Sequence, residues 1–304
     1  MKAVFVDASE TLAAVMESLI RPGDPEVIVV RQPDITPDAL PSLLGDAGIV
    51  IIDHTPFPIE IARQCAGLRH VVFLGTGARS YMDPEALAEA GIAVHLIKGY
   101  GDTAVAEHTV ALMWAAAKNL AIMDREMRAG TWLRSECLQL TGKTLGLIGF
   151  GGIAAEVARL AGGMGMRVVA WNRTPKTHPG VTFTSLEDLL AESQVVSMHL
   201  LLTDETRGFL SAQRIAAMRP GAILVNTARG ALVDEAAMMA ALDSGQLGHA
   251  ALDVFPVEPL PAEHPLIAFP NVTLSAHSAF RTPEASDNLI DAALDHCRRI
   301  TAKS

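Results

Sequence analysis

The sequence predicts an α/β protein made of two doubly wound parallel-sheet domains. Short apolar runs rich in Val, Ile and Leu alternate with helical stretches over the first ~95 residues, and the alternation starts again at Thr144. A long, uninterrupted helical pattern separates the two series. The chain has 304 residues, more than one ordinary core accommodates and about right for two domains.

In the first series the strands are expected at Ala3–Val6, Val27–Val30, Ile49–Ile52, Val71–Leu74 and Ala93–Leu96. Pro- and Gly-marked turns such as Arg21-Pro22-Gly23 and Gly75-Thr76-Gly77 punctuate them. A single helix is then expected from about Thr103 to Arg128, because Ala106, Val110, Met113, Ala117 and Leu120 recur on one face and Gly130 gives a stop. The second series predicts strands at Leu145–Ile148, Val168–Trp171, Val195–Met198, Ala222–Asn226, Ala250–Asp253 and Val272–Leu274. Helices are expected between them at Gly152–Met164, Glu187–Ala191, Ser211–Met218 and Asp234–Ser244. Six strands with connecting helices are the count of a complete dinucleotide-binding fold. A last helix, about Pro283–Ile300, has no strand after it and is free to return to the first domain.

The composition is that of a folded enzyme, with half the residues apolar and only 19% charged. A net charge of -10 repels nucleic acid and anionic membrane surfaces, while a local basic site for a small anion stays open. Cys65, Cys137 and Cys297 are far apart and odd in number, with no CxxC pair, so neither a zinc knuckle nor a disulfide framework is expected. No metal is expected. A reducing cytoplasm fits best. The segment Met1-Lys2-Ala3-Val4-Phe5-Val6-Asp7 reads as a buried strand, not a signal peptide, and no apolar run reaches the ~18–20 residues of a membrane span.

The apolar run Leu145–Ile148 stops at Gly149-Phe150-Gly151-Gly152-Ile153-Ala154, a G-x-G-x-x-A turn that opens a helix with Ile153, Val157, Leu160 and Met164 on one face. Gly149 permits the tight turn, Gly151 lets backbone approach a pyrophosphate, and Ala154 lets the helix lie close on the sheet. The helix N-terminus offers unpaired N–H groups to the anion. A competing reading, Gly142-Lys143-Thr144 as the tail of a P-loop, fails: Cys137 stands where the motif needs Gly, and the segment precedes its strand.

Three chemically matched residues follow successive strands. Arg229 lies after Val225-Asn226, where its fork could clamp a carboxylate. Glu258 lies in Asp253-Val254-Phe255-Pro256-Val257-Glu258-Pro259, and His277 in Ser275-Ala276-His277-Ser278. Beyond the carboxyl ends of parallel strands is where α/β sheets gather ligands. A histidine that gives a proton to a carbonyl oxygen, a carboxylate that holds its ring, and an Arg for the acid group are the parts that reduction of a 2-oxo acid requires.

These segments, with Gly75-Thr76-Gly77, Ala104-Val105-Ala106-Glu107-His108, His199-Leu200 and Thr203 to Gly208, stand in the order found in the D-isomer-specific 2-hydroxyacid dehydrogenases, which the sequence resembles from about residue 70 to 285. The resemblance implies two Rossmann-like domains with a cleft between them: a substrate-binding domain of 1–98 plus 281–304, and a dinucleotide-binding domain of 99–280. It implies Arg229 on the substrate carboxylate, His277 as general acid–base with Glu258 as its partner, and Asp253 at the nicotinamide amide. Thr76, Gly77 and Ala78 would cradle the carboxylate. Gly149, Phe150, Gly151, Gly152, Ile153, His199, Leu200, Thr206, Thr227 and Ala228 would line the cofactor. A homodimer is implied as well.

Arg79 stands where the family commonly has Asp, Leu201 replaces a common Pro, and Ser278-Ala279-Phe280-Arg281 replaces a small-residue stretch. Arg79 and Arg281 either add charge near the cleft or are solvated. The cofactor is NADP or NAD, with NADP preferred: 23 positions after Gly149, near the ~20 at which an acid usually meets the ribose, stands neutral Asn172, followed by Arg173 and Thr174. Dual use is the alternative. The substrate is expected to be a small 2-oxo acid, as in a glyoxylate or hydroxypyruvate reductase. A dinucleotide-sensing corepressor-like protein and a formate- or phosphite-type dehydrogenase are the competing readings.

Overall fold

The computed structural model describes residues 1–302. The chain divides into two compact units, one formed by Met1–Gly101 with the segment from Arg281 on, the other by Asp102–Phe280.

In the first unit, β1 (Ala3–Phe5), β2 (Val27–Val29), β3 (Ile49–Ile52), β4 (His70–Phe73) and β5 (Ala93–Leu96) form an all-parallel sheet of order β2-β1-β3-β4-β5. The connections carry α1 (Glu10–Leu19), α2 (Leu40–Leu44), α3 (Ile59–Ala62) and α4 (Pro84–Glu89). Ser9 and Asp83 cap α1 and α4 by accepting backbone N–H groups of the first turn. Neighbouring residues of one strand feed opposite cores: Val50 and Ile52 face the side that holds Leu40 and Phe57, Ile49 and Ile51 the side that holds Phe5 and Met16. Burial on both faces explains the continuous apolar runs.

The second unit begins with α5 (Asp102–Ala117) and α6 (Leu120–Arg128), where the sequence pattern predicts one helix. Asn119 makes the break. It adopts the left-handed conformation (φ 51°), which an Asn tolerates, and its side-chain amide donates to Ser135 Oγ and Glu136 O. Ala106, Val110, Met113 and Ala117 are buried, while Leu120, beyond the break, is exposed.

The sheet of this unit contains β6 (Thr144–Ile148), β7 (Arg167–Trp171), β8 (Val181–Phe183), β9 (Val195–Met198), β10 (Ala222–Asn226), β11 (Leu247–Leu252) and β12 (Val272–Leu274). Its order is β12-β11-β10-β9-β6-β7-β8, all parallel. Read from β6, this is the dinucleotide-binding order 3-2-1-4-5-6 with a seventh strand added. The six predicted strands are all present; the edge strand β8 is the one the sequence pattern misses. Helices α7 (Gly152–Gly163), α8 (Leu186–Glu192), α9 (Ala212–Ala216) and α10 (Glu235–Ser244) connect the strands, and α5 packs against α7, β10 and β11. The chain then returns to the first unit as α11 (Pro283–Thr301), which packs on α1 and β4 and buries Leu289, Ile290, Ala293, Leu294 and Cys297. Among the described residues no helix is long and apolar enough to cross a membrane.

In the first unit the buried carboxylate of Asp7, just past β1, accepts the backbone N–H groups of Asp53, His54 and Thr55 and the Thr55 hydroxyl, at 2.8–2.9 Å. His54 lies beside it, with Nδ1 at 3.2 Å from Asp53. The hydrogen bond to Asp53 raises the imidazole to about 9 against the cost of burial, with further help from the charge of Asp7 and the carbonyl of Pro33. A pKa above the unfolded value of ~6.5 means that this stabilisation is complete below that pH and fades as pH rises through about 9. His54→Ala is therefore expected to lower the thermal midpoint at pH 6 and to leave it near the wild-type value at pH 10. A gap of the same size at both pH values contradicts a charged His54.

Candidate active site

The exit of β6 is shaped by steric limits. Gly149 has φ 89°, and a Cβ there would meet the carbonyl of His199 at 2.6 Å. A Cβ on Gly151 would meet nothing within 4 Å, because it projects into open space before the N-terminus of α7. A Cβ on Gly152 would collide with the Asp102 carboxylate. The backbone can therefore close on a ligand at Gly151, and α7 points its first N–H groups at the same space. A pyrophosphate fits this cradle.

Phe150 N donates to Asn172 Oδ1 (3.1 Å) and Asn172 Nδ2 to Thr174 O (2.7 Å), so Asn172 ties the turn to the segment after β7. Lys176 Nζ donates to Phe150 O at 2.6 Å. Arg173 is exposed and ion-paired with Glu205 at 3.0 Å. His199 and Leu200 follow β9, on the far side of β6 from β7, and pack against Gly149. Burial pushes the His199 imidazole down to about 4, so it is neutral at physiological pH. Thr206 Oγ1 donates to Leu201 O and accepts from Thr203 N, which closes the loop after β9.

The residues expected to carry the acid–base chemistry and bind the substrate carboxylate follow the carboxyl ends of β10, β11 and β12. His277 Nδ1 is 2.7 Å from Glu258 Oε2, and the other Glu258 oxygen accepts Phe255 N at 2.8 Å. Since the carboxylate accepts, the proton of this contact is on Nδ1, and Nε2 is the nitrogen that can meet a substrate oxygen. His277 and Glu258 are 37% and 33% exposed, open enough for a small ligand to reach. Phe280 packs edge-on against the His277 ring.

A residue not singled out as an anchor holds this pair in place. Asp253 is fully buried. Its carboxylate accepts Ser275 Oγ (2.6 Å), Ser278 N and Ala279 N (3.0 Å each), and its carbonyl accepts His277 N (2.7 Å). Burial alone would raise this carboxyl, but hydrogen bonds from His108, Ser275, Ser278 and Ala279 outweigh it and hold it at about 2. His277 itself takes the left-handed conformation (φ 48°), which costs a non-Gly residue strain that this anchorage must cover. Because Ser275 gives its hydroxyl proton to Asp253, His108 Nε2, 2.9 Å away, donates to Ser275 Oγ. Both oxygens of Asp253, which the resemblance places at the nicotinamide amide, accept hydrogen bonds from the segment that carries His277.

Arg229 is half-buried; its Nη1 donates to Ala228 O, and its own carbonyl accepts Asn226 Nδ2. Ala228 N donates to Asn226 Oδ1. The Thr227 hydroxyl is buried against Thr109 Oγ1 at 2.8 Å, so its side chain faces α5. A Cβ on Gly230 would lie 2.0 Å from Phe255 C, so the Arg229 turn presses on the backbone that leads to Glu258. Gly75, Thr76, Gly77 and Ala78 follow β4 in the other unit, where Arg79 is ion-paired with Glu85; Arg281 is exposed. Among the described residues no group of His, Cys, Asp or Glu could hold a metal ion.

The model of the D-isomer specific 2-hydroxyacid dehydrogenase NAD-binding domain matches residues 110–279. The chain belongs to this family. It is 39% identical to a glyoxylate reductase of Aeropyrum pernix over 83% of this chain and 79% of that one. It is 31% identical to a glycerate dehydrogenase of Methylorubrum extorquens over 99% and 96%. The structure of a glyoxylate reductase from Paecilomyes thermophila, 29% identical, superposes with a TM-score of 0.88 over 100% of this chain and 96% of that one. The chain is thus an oxidoreductase that uses a nicotinamide dinucleotide to interconvert 2-oxo and 2-hydroxy acids.

The contact at Gly230 can be tested directly. Gly230→Ala must push Phe255 and Pro256 away and move the Glu258 carboxylate with them. It is expected to cut kcat by about 10²-fold, the cost of an ångström of misplacement, while the circular dichroism spectrum stays native. Wild-type kcat in this variant contradicts the role given to the contact.

Proposed function

We propose that the chain reduces a small 2-oxo acid of the size of glyoxylate or hydroxypyruvate to the D-2-hydroxy acid, and that it prefers NADPH. The observation that carries the chemistry is the His277–Glu258 contact, with Arg229 on the neighbouring strand end. When bound, the reduced nicotinamide supplies the hydride. His277 Nε2 gives the proton to the carbonyl oxygen, so the 2-oxo acid gains one hydride and one proton and leaves as the 2-hydroxy acid. Glu258 accepts Nδ1–H and so keeps Nε2 turned toward the substrate oxygen. Arg229 grips the substrate carboxylate through its planar fork. The relatives named for glyoxylate and glycerate suggest the substrate's size. Thr76, Gly77 and Ala78 are proposed as further carboxylate contacts on family resemblance. The unit of Asp102–Phe280 is proposed to hold the cofactor, and the other unit to serve the substrate.

The cofactor preference follows from charge. No carboxylate stands at position 172 to repel a 2′-phosphate, Arg173 is adjacent, and Lys176 is tied to the turn itself. We also propose a homodimer: α6 buries none of its residues, and Leu120, Met127 and Trp132 lie exposed along α6 and the segment after it, as a surface that a second copy would cover. Sedimentation velocity should give twice 32.2 kDa, and a monomeric mass at micromolar concentration contradicts this.

His277→Ala is expected to lower kcat by about 10²–10⁴-fold with little change in cofactor affinity, and near-normal turnover would remove the acid–base role. For the cofactor, kcat/KM is to be measured with NADPH and NADH in wild type and Arg173→Ala. Wild type is expected to favour NADPH and the variant to lose most of that preference; a wild type that favours NADH overturns the reading.

A further inference from the structure

The ion pair between Arg173 and Glu205 joins two loops that the sheet order sets on either side of the phosphate turn. Arg173 follows β7 and Glu205 lies in the loop after β9, and β7 and β9 are the two neighbours of β6 in the sheet. The contact, Arg173 Nη1 to Glu205 Oε2 at 3.0 Å, therefore bridges the exit of β6, where Gly149 begins the turn.

Glu205 is not on a loose segment. Thr206 Oγ1 donates to Leu201 O at 2.6 Å and accepts Thr203 N at 2.7 Å, and Thr206 N and Arg207 N both donate to Thr203 O. These bonds fold residues 201–207 into one tight turn that holds the carboxylate opposite Arg173. Both side chains are nonetheless about four-fifths exposed. An ion pair so exposed is weak, so a phosphate dianion can take the guanidinium from it.

We propose that Glu205 is a specificity-determining residue, which sets how strongly the chain selects a 2′-phosphate by competing with that phosphate for Arg173. The inference rests on the reading that Arg173 meets the 2′-phosphate. The acid that would reject NADPH is missing at position 172, and a milder one stands across the β6 exit. A dinucleotide with a bare 2′-hydroxyl leaves Arg173 on Glu205 and loses nothing. A 2′-phosphate must displace Glu205 and then bind beside its negative charge. Glu205 thus weakens discrimination without reversing it.

Calorimetric binding of 2′,5′-ADP and 5′-ADP to the full chain tests this without turnover. Glu205→Gln is expected to tighten 2′,5′-ADP by about three- to tenfold, the effect of one exposed charge on a nearby dianion, and to leave 5′-ADP unchanged. Glu205→Asp should keep an affinity ratio near that of wild type, and in an Arg173→Ala background Glu205→Gln should have a smaller effect, because only the direct repulsion of the phosphate is left to relieve. An unchanged ratio in Glu205→Gln, together with a lowered ratio in Arg173→Ala, overturns the inference and leaves the NADPH reading standing. An unchanged ratio in Arg173→Ala overturns that reading and this inference with it.

Discussion

The Asp253 carboxylate, fully buried at the end of β11, takes a hydroxyl and two backbone N–H groups from the stretch that follows β12. Its carbonyl takes a fourth, from His277. A buried charge without such partners costs several kcal/mol, so the carboxylate and the segment around it order each other. The chain that leaves Asp253 runs on to Glu258, and the chain it captures carries His277. One anchor therefore fixes both partners of the His277–Glu258 contact. The left-handed backbone at His277 and the chain from His108 through Ser275 follow from the same capture.

The parallel sheet divides the labour along one edge. The features proposed to meet the cofactor cluster where the strand order reverses, at the exits of β6, β7 and β9. The residues proposed for acid–base chemistry and anion binding occupy the exits of β10, β11 and β12, on the other half of the same edge. The two sets need not share loops, so the dinucleotide grip and the proton chemistry can vary separately. Gly230 makes one of the close joins in the second set, pressing the Arg229 turn on the backbone before Glu258.

Much of this was legible in the sequence, because buried parallel strands are continuous apolar runs and the phosphate turn is a fixed spacing of small residues. Arg229, Glu258 and His277 were singled out by their chemistry at successive strand ends, where the structure places them. The edge strand β8 is only partly buried, so the apolar run that marks a strand buried on both faces is weaker there. The break at Asn119 depends on a side-chain bond to Ser135 and Glu136, sixteen and seventeen residues on, which no local period reports. The capture by Asp253 and the Arg173–Glu205 pair join residues more than twenty positions apart and arise only when the sheet order brings the loops together. His108 lay within a recognised motif, yet its role depends on Ser275, 167 residues away.

The central claim is that Glu258 fixes the proton of neutral His277 on Nδ1 and turns Nε2 toward the substrate. Nitrogen-15 NMR of the imidazole in histidine-labelled protein, with His277 assigned by its loss in His277→Ala, reports this directly. The account predicts that neutral His277 is protonated on Nδ1, with a strongly downfield Nδ1–H proton that disappears in Glu258→Gln. A neutral ring protonated on Nε2, or a spectrum unaffected by Glu258→Gln, contradicts it.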